Sequence, residues 1–120
     1  MGKGFSTFLP VSHFISKETI PNPGKVELWL KVNGVDKQRD STELMLNTTE
    51  ECIEFVTGVC GLVEDDVVLT GTPKGVGSIV EGDVITAGVK VDGVELEEGK
   101  IEVTVQNRTD GYGVDRKANI

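Results

Sequence analysis

The chain has 120 residues, a formal net charge of −8 and a sequence pI near 4.6. This length allows one domain with a modest core and leaves no room for a second. An acidic surface repels phosphate backbones and anionic lipids, so the composition argues against nucleic acid or a membrane as partner. No apolar run approaches the length that crosses a bilayer, and we therefore expect a soluble intracellular protein.

The first predicted strands lie in residues 26–42. Apolar residues at Val26, Leu28, Leu30 and Val32 alternate with polar or amphipathic ones, which is typical of a half-buried strand. Asn33-Gly34 then supplies the left-handed backbone of a two-residue hairpin turn. The pattern predicts a hairpin whose return strand runs from residue 35 to a polar loop at residue 42.

A helix is predicted at about residues 49–60. Thr48 and Glu51 have the spacing of a capping box, and Glu50 and Glu51 place negative charge at the positive end of the helix. An apolar stripe follows at helical spacing and stops at Gly61. Its two cysteines, Cys52 and Cys60, are too far apart along a helix to form a disulfide, so we expect reduced thiols in the core.

The most constrained stretch follows the helix. Val67–Leu69 is a short apolar run that predicts a buried strand, and the loop Thr70–Gly77 follows it. Pro73 restricts the backbone of this loop, while three glycines permit left-handed backbone or close approach. The hydroxyls of Thr70 and Thr72, with nearby backbone N–H groups, could converge on an anion or a carbonyl. A tight structural turn explains the same residues equally well.

The rest of the chain is rich in β-forming residues. Val84–Val91, a second turn at Asp92-Gly93 and an alternating run from Ile101 to Val105 predict an antiparallel sheet with one buried side. Residues 108–120 carry few apolar groups and are expected to form a polar, mobile tail. About five strands and one helix indicate a mostly β, α+β fold.

Three segments of this sequence resemble the fumarylacetoacetate hydrolase family, particularly its small acylpyruvase and oxaloacetate decarboxylase-like members. They are GKGFSTFLPVSHF from Gly2, VELWLKVNG from Val26 followed by Gln38, Thr42 and Met45, and DDVVLTGTPKGVG from Asp65. They occur in the order of the family and cover only the second half of its domain. The resemblance implies that residues 1–107 are the C-terminal half of a catalytic domain, folded as an incomplete mixed β-sandwich roll.

The resemblance also implies roles for particular residues. Lys3 matches a lysine that stabilises the negative charge of a substrate enolate, and Thr72 matches a residue that binds the substrate carboxylate. Thr70 and Gly71 would shape the pocket, and Ser6 and Thr7 match small polar positions near it. We expect the Lys3 amine and Thr72 to face each other across one cavity.

The resemblance implies Mg²⁺- or Mn²⁺-dependent cleavage or decarboxylation of 2-oxo acids, and a location in the cytoplasm or the mitochondrion. The carboxylates that hold the metal lie upstream of the matching segments, so we expect no ligands here; Glu95 and Glu97 are interpreted as solvated hairpin charges rather than substitutes. The alternative is a truncated, non-catalytic family member acting as a binding or assembly module. Both hypotheses predict a homo-oligomer, such as a dimer, or pairing with a full-length relative, because a half domain leaves sheet edges unpaired.

Overall fold

A computed structural model describes residues 2–108. It contains strands β1 (Val26–Val32), β2 (Val35–Ser41), β3 (Val84–Val91), β4 (Val94–Glu95) and β5 (Ile101–Thr104), and one α-helix, α1 (Thr49–Val59). Short 3-10 turns lie at Gly2–Gly4, Pro23–Lys25, Thr42–Leu44 and Glu97–Gly99. The described residues are therefore mostly β with one helix, as predicted. Apart from Arg108, the predicted tail lies outside the described residues.

All strand pairs of the sheet are antiparallel. The strand order is β2-β1-β3-β4. β5 pairs with the first half of β3, on the same edge of β3 as β4. The predicted turns are confirmed, since Asn33 (φ 51°) with Gly34, and Asp92 (φ 50°) with Gly93, adopt the left-handed backbone of a type I′ turn. β3 is thus the centre of the sheet.

The two faces of the sheet differ in chemistry. On one face, Trp29 lies opposite Gly88, and its indole N–H donates to the two carboxylate oxygens of Glu95 at 2.9 and 3.0 Å. Arg39 and Lys90 pair with the Glu27 carboxylate on the same face. The opposite face carries the aliphatic side chains of β1, β3 and β5, because successive residues of a strand point to opposite sides. The interpretation of Glu95 as a solvated charge is wrong, because its side chain is half-buried and accepts hydrogen bonds from the Trp29 indole.

The β1–β2 turn also holds the start of β3. Asn33 Nδ2 donates to Asp83 Oδ1 at 2.9 Å, and Asn33 Oδ1 accepts from the Val84 N–H at 2.9 Å. The Val80 N–H and the Asn33 amide both donate to the Asp83 carboxylate, and these hydrogen bonds lower its pKa below 3.8. One side chain therefore joins two segments that are 50 residues apart in sequence.

Helix α1 begins with the predicted capping box. Thr48 Oγ1 accepts from the Glu51 N–H at 3.2 Å, and Glu51 Oε2 accepts from the Thr48 N–H at 2.7 Å. The apolar stripe is present but largely uncovered, since the Phe55 side chain is 73% exposed. Among residues 2–108, no helix is long and apolar enough to cross a membrane.

Three expectations about burial are wrong. Val67–Leu69 is not a strand, because no described segment pairs with its backbone. The Val67 side chain is also 75% exposed. Cys60 is exposed and Cys52 half-buried, so the free thiols do not lie in a core. The apolar side of the sheet is mostly half-buried, and only Val26 and Val89 of the described apolar residues are buried.

Candidate functional site

The loop Thr70–Gly77 lies against β2 at two points, the side-chain amide of Gln38 and the backbone of Lys37. Gln38 Nε2 donates to Thr72 Oγ1 at 2.8 Å and to the Pro73 carbonyl oxygen at 2.6 Å. Gly75 has a left-handed φ of 101°, and a methyl group there would overlap the carbonyl oxygen of Lys37. The Gln38 amide and the lack of a side chain at Gly75 thus position the loop on the strand.

A cavity of about 490 Å³ lies between this loop, the sheet and α1. Its walls come from β1 and β2, the segment after β2, one helical residue and the loop. The lining residues are Leu28, Asp40, Ser41, Thr42, Leu44, Met45, Leu46, Asn47, Cys52, Thr70, Gly71, Thr72, Pro73 and Lys74. This volume suits a small metabolite.

The hydroxyl groups of the cavity are not equally available. Thr42 Oγ1 donates to the Pro23 carbonyl oxygen at 2.6 Å and accepts from the Val26 N–H at 3.1 Å, so its role is structural. Ser41 Oγ accepts from the Glu43 N–H and donates to the Glu43 carboxylate. Within the described part of the chain, the Thr70 side chain makes no hydrogen bond, and Thr72 Oγ1 only accepts one.

The charges around the cavity are few. Lys74 contributes an ammonium group and Asp40 a carboxylate, while Leu28, Leu44 and Met45 contribute apolar surface. Two hydroxyls that can donate, beside one cation and an apolar wall, suit a small ligand with a carboxylate or carbonyl at one end.

The structure brings together only part of the site predicted from sequence. Thr70, Gly71 and Thr72 line the same cavity, and Gly71 has the left-handed backbone (φ 105°) expected of it. Lys3, Ser6 and Thr7 are exposed and are not among the lining residues. Their predicted contact with substrate stays a prediction.

Sequence reasoning gave no site role to three residues that the structure places at the loop or the cavity: Gln38, Asp40 and Lys74. The pairing register places Gln38 opposite Leu30 and Asp40 opposite Leu28, so both polar side chains share the apolar face of the sheet. A polar residue at a position of β2 that faces the apolar side of the sheet is unusual, and this pattern could have identified both residues from the sequence. Lys74 follows Pro73 in the same loop, and no feature of its local sequence distinguishes it from a solvated surface lysine.

The described residues do not fit a metal site. In residues 2–108, no group of three or more His, Cys, Asp or Glu side chains is arranged to hold an ion. Asp40 is the one carboxylate of the cavity, and Mg²⁺ requires several oxygen ligands in octahedral geometry. We therefore derive no chemical step through a metal from these residues.

Comparison with known proteins identifies the fold and the motifs together. The family model described as fumarylacetoacetate (FAA) hydrolase C-terminal matches residues 1–106. The chain belongs to the fumarylacetoacetate hydrolase family. The resemblance seen in the sequence is thereby confirmed, and the cavity loop lies within the matched region.

Relatives of this chain include mitochondrial oxaloacetate tautomerases. The chain is 44% identical over 102 residues to FAHD1 of Rattus norvegicus, covering 85% of this chain and 45% of the relative. It is 49% identical over 85 residues to oaa1 of Schizosaccharomyces pombe, covering 71% of this chain and 38% of the relative. The chain thus spans less than half the length of these curated relatives.

Solved structures show the same partial coverage. Yeast ynq8, a fumarylacetoacetate hydrolase family protein, superposes with a TM-score of 0.82 at 27% identity, covering 90% of this chain and 45% of that one. Maleylpyruvate hydrolase from Sphingobium sp. SYK-6 gives a TM-score of 0.66 at 28% identity, covering 75% of this chain and 32% of that one. The α+β fold of the described residues is therefore that of the family.

Proposed function

We propose that this chain forms the substrate-binding, C-terminal half of a domain that acts on small 2-oxo acids. The reaction would be hydrolysis of a C–C bond, as in acylpyruvates, or decarboxylation or tautomerisation of oxaloacetate. The observation that carries the proposal is the loop Thr70–Gly77, which combines the family motif with two hydroxyls at a cavity of metabolite size. The names of the relatives support the substrate class, since they include oxaloacetate tautomerases and a maleylpyruvate hydrolase.

The proposed roles follow from hydrogen-bonding capacity. The Thr72 hydroxyl donates to the substrate carboxylate, while Thr70 and Gly71 shape the pocket and leave space for the ligand. The Lys3 ammonium stabilises the negative charge of the enolate, with Ser6 and Thr7 beside it. Because Lys3 does not line the cavity here, its role requires the segment around residues 2–9 to approach the loop when the domain is complete.

The family implies Mg²⁺ or Mn²⁺, and we propose that the carboxylates for such an ion lie outside the described residues. Catalysis would then require polypeptide beyond residues 2–108, either in the same protein or in a partner. The names of several relatives carry the word mitochondrial, which supports a mitochondrial location over the cytoplasmic alternative.

A chimaera tests the catalytic proposal directly. Residues 1–106 would replace the aligned C-terminal part of the rat oxaloacetate tautomerase, and oxaloacetate tautomerisation and decarboxylation and acetylpyruvate cleavage would be assayed. We expect turnover of at least one substrate, with Lys3→Ala lowering kcat on the order of 100-fold, as for loss of one oxyanion-stabilising donor. Lys17→Ala, at an exposed lysine outside the cavity, serves as the matched control.

The result that contradicts the catalytic proposal is an active chimaera whose kcat is unaffected by Lys3→Ala and Thr72→Val. Metal binding by the chain alone is measured separately, by calorimetry with Mg²⁺ and Mn²⁺. Heat of binding from the isolated chain would show that its own residues hold an ion and would contradict the assignment of the carboxylates to other polypeptide.

A second candidate function is a non-catalytic binding or assembly module. It is favoured by the wide apolar surface of the described residues and by the lack of a carboxylate cluster among them. A folded chain that forms a stable complex with a full-length relative, while its chimaera has no turnover on any of the three assays, would support this function over catalysis.

A further inference from the structure

The side-chain amide of Gln38 has a fixed orientation. The carbonyl oxygen of Pro73 can only accept hydrogen bonds, so the amide end that lies 2.6 Å from it must be the NH₂ group. The same nitrogen lies 2.8 Å from Thr72 Oγ1. Its two protons are therefore divided between the Pro73 carbonyl and the Thr72 hydroxyl oxygen.

This arrangement determines which way the Thr72 hydroxyl can act. A hydroxyl has one proton and two lone pairs, and one lone pair of Thr72 accepts from Gln38. Among residues 2–108, the Thr72 proton is donated to no protein acceptor. Since Thr72 lines the cavity, the proton is available to a ligand there.

We propose that Gln38 is a positioning residue that holds Thr72 as a hydrogen-bond donor toward the cavity and so makes the site select carboxylate ligands over amide ligands. The inference rests on the proposed function, in which Thr72 contacts a 2-oxo acid. A carboxylate oxygen accepts from the Thr72 proton, whereas an amide NH₂ in the same place would meet another donor. The Lys74 ammonium at the cavity wall favours the same choice and the Asp40 carboxylate opposes it, so the selection rests on the Thr72 proton.

A simpler role for Gln38 would be to hold the loop on β2. Gly75 offers a matched comparison, because it also fixes the loop to β2 but does not contact the Thr72 hydroxyl. Gly75→Ala forces the loop away from the Lys37 carbonyl but keeps the Gln38 amide, whose Cγ would be in ordinary contact with the new methyl group at 3.4 Å. Gln38→Met removes both hydrogen bonds at similar side-chain length without adding charge.

The first measurement needs no ligand. Nuclear magnetic resonance would follow hydrogen exchange of the side-chain NH₂ of Gln38, with the exposed Gln106 as reference. We expect both Gln38 protons to exchange at least about fivefold more slowly than those of Gln106, because each is hydrogen-bonded. Equal exchange rates at the two residues overturn the proposal, whatever the chain binds.

The second measurement compares pyruvate with pyruvamide, its neutral amide. Kd values come from titrations of the wild-type chain, Gln38→Met and Gly75→Ala, followed through the backbone amides of residues 70–72. We expect wild type to bind pyruvate about tenfold or more tightly than pyruvamide. In Gln38→Met this Kd ratio should fall by at least about fivefold, because the Thr72 hydroxyl loses the donor that fixes its orientation. Gly75→Ala should weaken both ligands and change the ratio less than about twofold.

The outcomes separate this inference from the function on which it rests. If wild type binds neither probe, the proposed function fails and the selectivity role of Gln38 fails with it. If wild type favours pyruvate and Gln38→Met keeps the same ratio, the proposed function stands and the inference is overturned. Equal weakening of both ligands by Gln38→Met likewise overturns it, because Gln38 would then act only on the position of the loop.

Discussion

The glycines of the loop Thr70–Gly77 illustrate what can be predicted at the scale of a residue. The sequence indicates that these glycines permit left-handed backbone or close approach, and Gly71 and Gly75 do have positive φ. Only the structure shows that Gly75 meets the Lys37 carbonyl while Gly71 and Gly77 have open space. The partner of a glycine lies far away in sequence, so its identity follows from tertiary packing rather than from local pattern.

Gly75→Ala is expected to destabilise the chain by roughly 1–3 kcal/mol, because the methyl group overlaps a backbone carbonyl and a non-glycine residue is strained at φ 101°. The free energy of unfolding would be measured by urea denaturation. Gly77→Ala is the control, since its methyl group meets nothing within 4 Å and its φ is not left-handed. Equal stability of the two variants would contradict the close packing of the loop on β2.

At the scale of an element, the hairpins follow directly from the sequence. Alternation of apolar residues fixes which side of β1 faces inward, and Asn33-Gly34 and Asp92-Gly93 determine the turn type. The second role of Asn33, in holding the start of β3, could not be predicted because its partners Asp83 and Val84 are 50 residues away. The same is true of Gln38, whose partners lie in the loop.

Asn33→Gly tests the link between the β1–β2 turn and β3. Glycine keeps the left-handed turn but loses the two side-chain hydrogen bonds, so we expect a loss of about 1 kcal/mol. Asp92→Gly is the matched control, because Asp92 has nearly the same φ and its side chain makes no hydrogen bond within the described residues. Thermal and urea unfolding of both variants would reveal the difference, and a loss confined to Asp92→Gly would refute the link.

Asp83 makes the same link dependent on pH. Its pKa is lowered in the folded chain, mainly by the hydrogen bond from the Val80 N–H, relative to an ordinary value of 3.8. The carboxylate therefore stabilises the fold above about pH 4, and this contribution is lost as pH falls through the lower folded pKa. We expect the stability difference between wild type and Asp83→Asn, from urea midpoints, to shrink between about pH 6 and about pH 3. A difference that is constant across this range would contradict the assigned cause.

For the whole molecule, the fold class was predictable but the burial was not. Val67–Leu69 has the composition of a buried strand, yet a strand also requires a neighbour for its backbone, and none lies within residues 2–108. Nineteen large apolar side chains of the described residues are exposed, against two that are buried. The chain spans 45% of the length of its rat relative. We expect further protein surface to cover these exposed apolar side chains.

We expect the purified chain to self-associate or to pair with a full-length relative, because exposed apolar area of this extent favours contact. Light scattering across a dilution series would show a mass above that of the 12.9 kDa monomer. Phe55→Lys, on the exposed stripe of α1, should shift the equilibrium toward monomer, and Thr57→Lys on the same helix is the control. A constant monomer mass at every concentration would contradict association.

The position of Trp29 gives this protein an internal optical probe. It is the single tryptophan of the sequence, and its indole lies on the polar face, bonded to Glu95 and 5.5 Å from the Lys31 ammonium. The cavity begins at the neighbouring residue, Leu28, whose side chain points to the opposite face. Intrinsic fluorescence should therefore report the integrity of the central strands while remaining insensitive to occupancy of the cavity, so unfolding and ligand titration can be followed independently in one sample.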